Sequence, residues 1–153
     1  MSADRGSVWV PPQVVVVKVL GLARHGDRWL VTEVAGSDGH VAGVRPLGGT
    51  IAFGETRDQA LHREFREELG CAITIAGPWH AFENLFELGG VVGHEIIFAA
   101  EVTLHEGAVP LDAAFTYRES DGTACTAGWY SLADLAARGW ALYPPRLSAL
   151  LAP

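Results

Sequence analysis

Cysteine is scarce in this chain: Cys71 and Cys125 are the only two, and they form no C-x-x-C pair. That excludes a disulfide framework and a thiolate metal knuckle, so both are expected as reduced thiols, Cys71 buried beside a helix end. Basic residues are few as well, 11 Lys and Arg against 18 Asp and Glu, for a formal net charge of −7. With no Lys/Arg cluster, a nucleic-acid footprint is excluded. No apolar run approaches the roughly 20 residues that span a bilayer. The N-terminus lacks a charged-then-apolar signal, because Val14 to Val17 is short and follows two prolines. The expectation is a cytoplasmic protein with neither a membrane nor a nucleic-acid partner. What the chain does have is apolar content, 49% of its residues, which argues against disorder. Its 153 residues suffice for one domain with a real core.

Along the chain, Met1 to Pro12 reads as a flexible leader and residues 13–153 as a single domain. Val14 to Ala23 reads as an apolar strand, His25-Gly26-Asp27 as a turn, and Arg28 to Ala35 as the returning strand. A strand near Val41 to Pro46 runs on through Leu47 into a Gly48-Gly49 turn. Ala72 to Ile75 begins another strand. Trp79 to Leu88 and Val91 to Leu104 form a hairpin around Gly89-Gly90. Glu106 to Thr126 is polar and reads as an irregular loop. Trp129-Tyr130 is a short strand, Ser131 caps a helix through Ala137, and a last short helix follows Tyr143-Pro144-Pro145. Strands, helix, strands, helix is the order of an α+β domain with helices packed over a mixed sheet.

The richest segment is Gly49 to Cys71. Arg57 to Leu69 contains no Gly or Pro; Thr56 can cap it and Gly70 can end it in a left-handed turn. At about 100° per residue, Leu61, Phe65 and Leu69 share a stripe that should face a sheet. Glu64, Glu67 and Glu68 stand at i, i+3 and i+4 and crowd a neighbouring stripe. Such like charges repel by a few tenths of a kcal/mol per pair, roughly. A hard divalent cation removes that repulsion, and Mg²⁺ prefers carboxylate, carbonyl and water oxygens shared with substrate phosphates.

The same segment fits G-x5-E-x7-R-E-U-x-E-E-x-G-U, with U apolar, without a gap. Seven positions have a required identity: Gly49, Glu55, Arg63, Glu64, Glu67, Glu68 and Gly70. At usual residue frequencies, a chance match at one start is about 10⁻⁹. The segment resembles the Nudix box of Nudix hydrolases. The resemblance implies a Nudix-type α/β/α sandwich, a mixed β-sheet flanked by helices. It implies Mg²⁺, with Mn²⁺ as a substitute, held by Glu64, Glu67, Glu68 and the carbonyl of Gly48. Glu67 and Glu68 are the first ligands; Glu64 is a third ligand or the base. Gly49, Glu55 and Gly70 give structural support, and Arg63 braces the loop and orients a carboxylate.

The implied reaction is attack of water on the pyrophosphate bridge of a nucleoside diphosphate linked to another moiety, in the nucleotide, nucleotide-sugar or ADP-ribose class. A base outside the box is open among Glu95, Glu101, Glu106 and Glu119. Arg45 can touch a phosphate oxygen, and Phe53 and Phe86, with Trp79 and Phe82, are candidate base-stacking surfaces. His94, on an apolar strand, reads as a satisfied structural histidine. A homodimer, common in the family, is compatible with the chain. The alternative is a non-catalytic nucleotide-sensing or interaction domain on the same scaffold. A diphosphate isomerase on that scaffold would need a further cysteine and acid pair, which Cys71 does not supply.

Overall fold

The structure is a computed structural model that describes residues 9–152. Its elements in chain order are β1 (Val15–His25), β2 (Arg28–Ala35), β3 (Val41–Thr50), α1 (Arg57–Leu69), β4 (Ile73–Leu88) and β5 (Val91–Leu104). There follow β6 (Phe115–Arg118), β7 (Ala124–Tyr130), α2 (Leu132–Arg138), β8 (Ala141–Leu142) and α3 (Leu147–Leu151). The strands pair in the order β4-β5-β1-β3-β2-β7-β6, with β8 beside β3. The β1–β5 and β3–β8 pairs are parallel and the other pairs antiparallel, so the sheet is mixed.

Alternation along β1 builds two cores. Val19 and Ala23 join Leu61 and Phe65 of α1 in one buried cluster. Leu20 and Leu22 join Leu135 of α2 and Leu147 and Leu151 of α3 in the other. Because successive strand side chains point to opposite faces, the helices cover both sides of the sheet. The expected α/β/α layering follows. The hairpin between β4 and β5 turns at Gly89 and Gly90, with φ of 58° and 80°. A two-residue turn with both φ values positive matches the twist of the strands it joins, and glycine adopts it without strain.

Several sequence expectations are corrected. Gly48-Gly49 is not a turn: both residues lie in β3 and pair with Leu20 and Val19 of β1. These glycines serve close approach instead. A Cβ at Gly48 would strike the Val19 carbonyl, and one at Gly49 the Glu64 carboxyl. The segment from Glu106 to Thr126 is not all loop, since it contains β6 and the start of β7. Of the leader over residues 1–12, residues 1–8 lie outside the described residues. Within the remainder Pro11 is buried, and Trp9 stacks on Phe86 with ring centroids 6.4 Å apart. Among the described residues no helix is long and apolar enough to cross a membrane.

Candidate functional site

The site is assembled on α1, whose ends are fixed by its own sequence. Thr56 Oγ1 accepts from the Gln59 N–H at 3.1 Å, and the Gln59 side chain accepts from the Thr56 N–H at 3.0 Å, a reciprocal capping box. Gly70 closes the helix at φ 64°, its N–H donating to Arg66 O. Leu61 and Phe65 then face the sheet, and Phe65 lies over Gly21 where no side chain intervenes. That docking turns Glu64 toward β3. Its carboxyl occupies the hollow that Gly49 leaves, and the residue is only 7% exposed.

Arg63 ties this helix to the preceding loop. Nε donates to Glu55 Oε2 at 2.7 Å and Nη2 to Glu55 Oε1 at 2.9 Å, a bidentate fork. Nη1 donates to Glu64 Oε1 at 3.0 Å and to Glu67 Oε2 at 3.2 Å, and Nη2 also reaches the Thr50 carbonyl at 3.1 Å. The Ala52 N–H donates to Glu55 Oε1 at 3.0 Å. The Arg63 fork, helped by that amide, holds the Glu55 carboxyl down to about 2. The same bonds push the Arg63 guanidinium up.

Glu64 and Glu68 behave oppositely to Glu55. Burial pushes the Glu64 carboxyl up, against the pull of Arg63. Burial also pushes Glu68 up, to about 8; the charges of Glu64 and Glu119 add to the rise and Arg45 opposes it. A carboxyl that stays protonated near neutral pH beside further carboxyls is short of positive charge.

Glu119 reaches this cluster from just beyond β6. Arg45 Nη2 donates to Glu119 Oε1 at 2.6 Å, and the Glu119 N–H donates to Thr123 O at 3.0 Å. Of the four acids considered outside the box, Glu119 is the one whose charge acts on Glu68. Glu95 instead faces Lys18 at 3.4 Å. Tyr117, absent from the sequence reading, lies beneath the cluster. Its buried hydroxyl donates to Thr32 Oγ1 at 3.0 Å and is pushed up by burial, with Glu68 among the neighbouring charges. The alternation of Phe115 and Tyr117 was the available signal for it.

The expected substrate residues are not brought together. Arg45 joins the acidic cluster, and Phe53 stands fully exposed at the tip of the loop before α1. Phe86 lines a separate cleft with Trp9. His94 departs from its expected satisfied state: its Nε2 is buried without a hydrogen-bond partner, 3.7 Å from Glu83 Oε2.

Among the described residues no group of three His, Cys, Asp or Glu side chains is already arranged to hold a metal ion. Arg63 accounts for part of this, because it draws Glu64 and Glu67 onto its own Nη1. A full protein cage is not what Mg²⁺ requires; it commonly takes one or two carboxylates, several waters and substrate phosphates. The donor set is hard oxygen throughout, and Glu68, pushed up by burial and by the charges of Glu64 and Glu119, fits a cation of that kind.

A family model described as the NUDIX domain matches residues 11–150. Among solved structures, the MutT protein from Bacillus halodurans is 18% identical with a TM-score of 0.60, covering 91% of this chain and 84% of that one. A MutT Nudix hydrolase from Burkholderia pseudomallei is 20% identical with a TM-score of 0.55, covering 80% of this chain and 88% of that one. These two likenesses concern the fold. The low-salt glycan biosynthesis protein Agl8 of Haloferax volcanii is 36% identical over 69 residues, 42% of this chain and 44% of that protein. The chain therefore spans under half the length of this curated relative.

Proposed function

The chain belongs to the Nudix family, and we propose that it is a pyrophosphohydrolase that uses Mg²⁺ to cleave the pyrophosphate linkage of a nucleoside diphosphate joined to another moiety. One observation carries this reading: the Glu64 carboxyl on α1 fills the hollow that Gly49 leaves, and the charge of Glu64 acts on its neighbour Glu68, which is pushed up to about 8.

Glu67 and Glu68 would hold the cation, with Glu64 as third ligand and the Gly48 carbonyl beside them; Mn²⁺ would fit the same oxygens. When bound, the ion would acidify a coordinated water and stabilise charge on the phosphate oxygens. The protein's own residues supply the rest. Arg63 keeps the loop from Thr50 to Glu55 fixed against the helix, so the carboxyls cannot splay. Glu119 is the acid outside the box in position to orient or deprotonate the attacking water, and Arg45 restrains it until a phosphate competes for the guanidinium. Glu64 is the other candidate for that proton.

The test is a panel of ADP-ribose, nucleotide sugars, dinucleoside polyphosphates and nucleoside triphosphates incubated with Mg²⁺, with products separated by chromatography. Release of a nucleoside monophosphate or of phosphate from at least one compound, abolished by EDTA, is expected. Saturable binding with no turnover across the panel would instead favour the sensing domain.

A further inference from the structure

On the sheet face opposite α1, a cleft of about 330 Å³ opens between the N-terminal segment and the β4–β5 hairpin. Its lining includes Trp9, Lys18, Thr50, Phe86 and Glu95. Two aromatic rings form its walls: those of Trp9 and Phe86 are within 14° of parallel, with centroids 6.4 Å apart. Phe86 is seated over its cross-strand partner Gly93, where a Cβ would strike the ring. One side of Phe86 is thus fixed by the sheet, and Trp9 on its other side is 56% exposed.

The cleft also holds a charged pair, with Thr50 and His94 lining it as well. Lys18 is the only lysine in the chain. Its Nζ lies 3.4 Å from Glu95 Oε2, with side-chain exposures of 22% and 12%. Among the described residues neither side chain makes a hydrogen bond. Such a sequestered pair gives little net stability once desolvation is counted. It does present an ammonium donor and a carboxylate acceptor side by side. Thr50 joins this cleft to the acidic cluster, because its carbonyl accepts from Arg63 on the other side of β3.

Resting on the nucleotide reading above, we propose that this cleft takes the base of the substrate between Trp9 and Phe86 and selects guanine through Lys18 and Glu95. The pairing edge of guanine sets the O6 acceptor beside two donors, N1–H and the N2 amine. The carboxylate of Glu95 can accept from both donors while Lys18 donates to O6, which makes three contacts. Adenine and uracil each match the pair with one donor and one acceptor, and hypoxanthine lacks the N2 amine. Sites that hydrogen-bond a group reject analogues lacking it, because their own polar atoms are left unpaired. Stacking on the two rings adds affinity for any base without choosing among them.

The test is calorimetric titration of the folded protein with GMP, IMP, AMP, CMP and UMP. GMP should bind at least tenfold more tightly than AMP, CMP or UMP, with IMP between. Glu95→Gln should bring GMP down to the level of AMP while changing AMP less than threefold. Trp9→Ala, at an exposed position that leaves the core intact, should weaken every nucleotide severalfold and preserve their ranking. GMP should also protect Lys18 from an amine-acylating reagent, read by mass spectrometry of its peptide. Similar affinities for all five, no binding by any, an unprotected Lys18 or a ranking that survives Glu95→Gln would each overturn the proposal. GMP has no pyrophosphate, so the two readings fail separately. Selective GMP binding without turnover of any substrate would sink only the hydrolase reading. Turnover of all bases alike would sink only guanine selection.

Discussion

Arg63 gives each of its three nitrogens a carboxylate partner, and this sets what its replacement should do. Lysine keeps the charge but cannot reproduce a fork that holds Glu55 through two bonds while reaching Glu64, Glu67 and Thr50. Arg63→Lys is expected to lower kcat by roughly one to two orders of magnitude, since misplacing catalytic groups costs about that much. KM should change less; steady-state kinetics against the best panel substrate would decide. Glu68→Gln should lower kcat a hundredfold or more with its circular dichroism unchanged, as loss of a charge-stabilising group implies. Wild-type turnover in that variant would refute Glu68 as a ligand. These residues were legible because they share one helix and one loop, where spacing along the chain is spacing in space. Glu119 could be named but not ranked, because its partner Arg45 is 74 positions away. Tyr117 had only its alternation with Phe115 to mark it, because its partner Thr32 lies 85 positions away.

At the scale of elements, α1 could be read almost to the residue because both of its ends carry capping chemistry of their own. The strands were read well where apolar runs are long, as in β1 and β5. They were lost where pairing, not propensity, makes the strand. β6 has only four residues, and β7 opens with Ala-Cys-Thr-Ala, which carries little strand preference until it is paired with β6 and β2. Gly48-Gly49 is the opposite error: glycines that suggest a turn locally are held straight by β1 and are required for contact. Gly48→Ala should therefore destabilise the fold although alanine suits a strand better than glycine. Its Cβ would meet the backbone of Val19 and Leu20, which cannot rotate away. Overpacking of that kind costs about 1–3 kcal/mol, or roughly 3–10 °C in a domain of this size. A thermal melt unchanged to within 1 °C, by this estimate, would show that β3 yields at that point.

For the whole molecule, the acidic site is a load on folding that a cation should lift, and pH exposes it. Glu68 has a folded-state value of about 8 against an ordinary 4.5. Between those values the folded protein keeps a proton that the unfolded chain gives up, so stability falls as pH rises through that window. The slope for one such proton is at most roughly 1.4 kcal/mol per pH unit. Glu55 acts in the other direction: held down to about 2, it stabilises above 4.5, and that contribution is lost as pH falls toward 2. The metal-free protein should thus be most stable on the acid side of neutrality. Six histidines also titrate in this range, so the difference between wild type and Glu68→Gln is the quantity to measure. In EDTA, urea unfolding from pH 5 to 8 should show wild type losing stability relative to the variant. With Mg²⁺ present the loss should shrink or reverse, because a ligand bound only by the folded state stabilises it. Parallel profiles for the two proteins in EDTA would mean that Glu68 is charged throughout, and the case for a cation-starved cluster would fail with it.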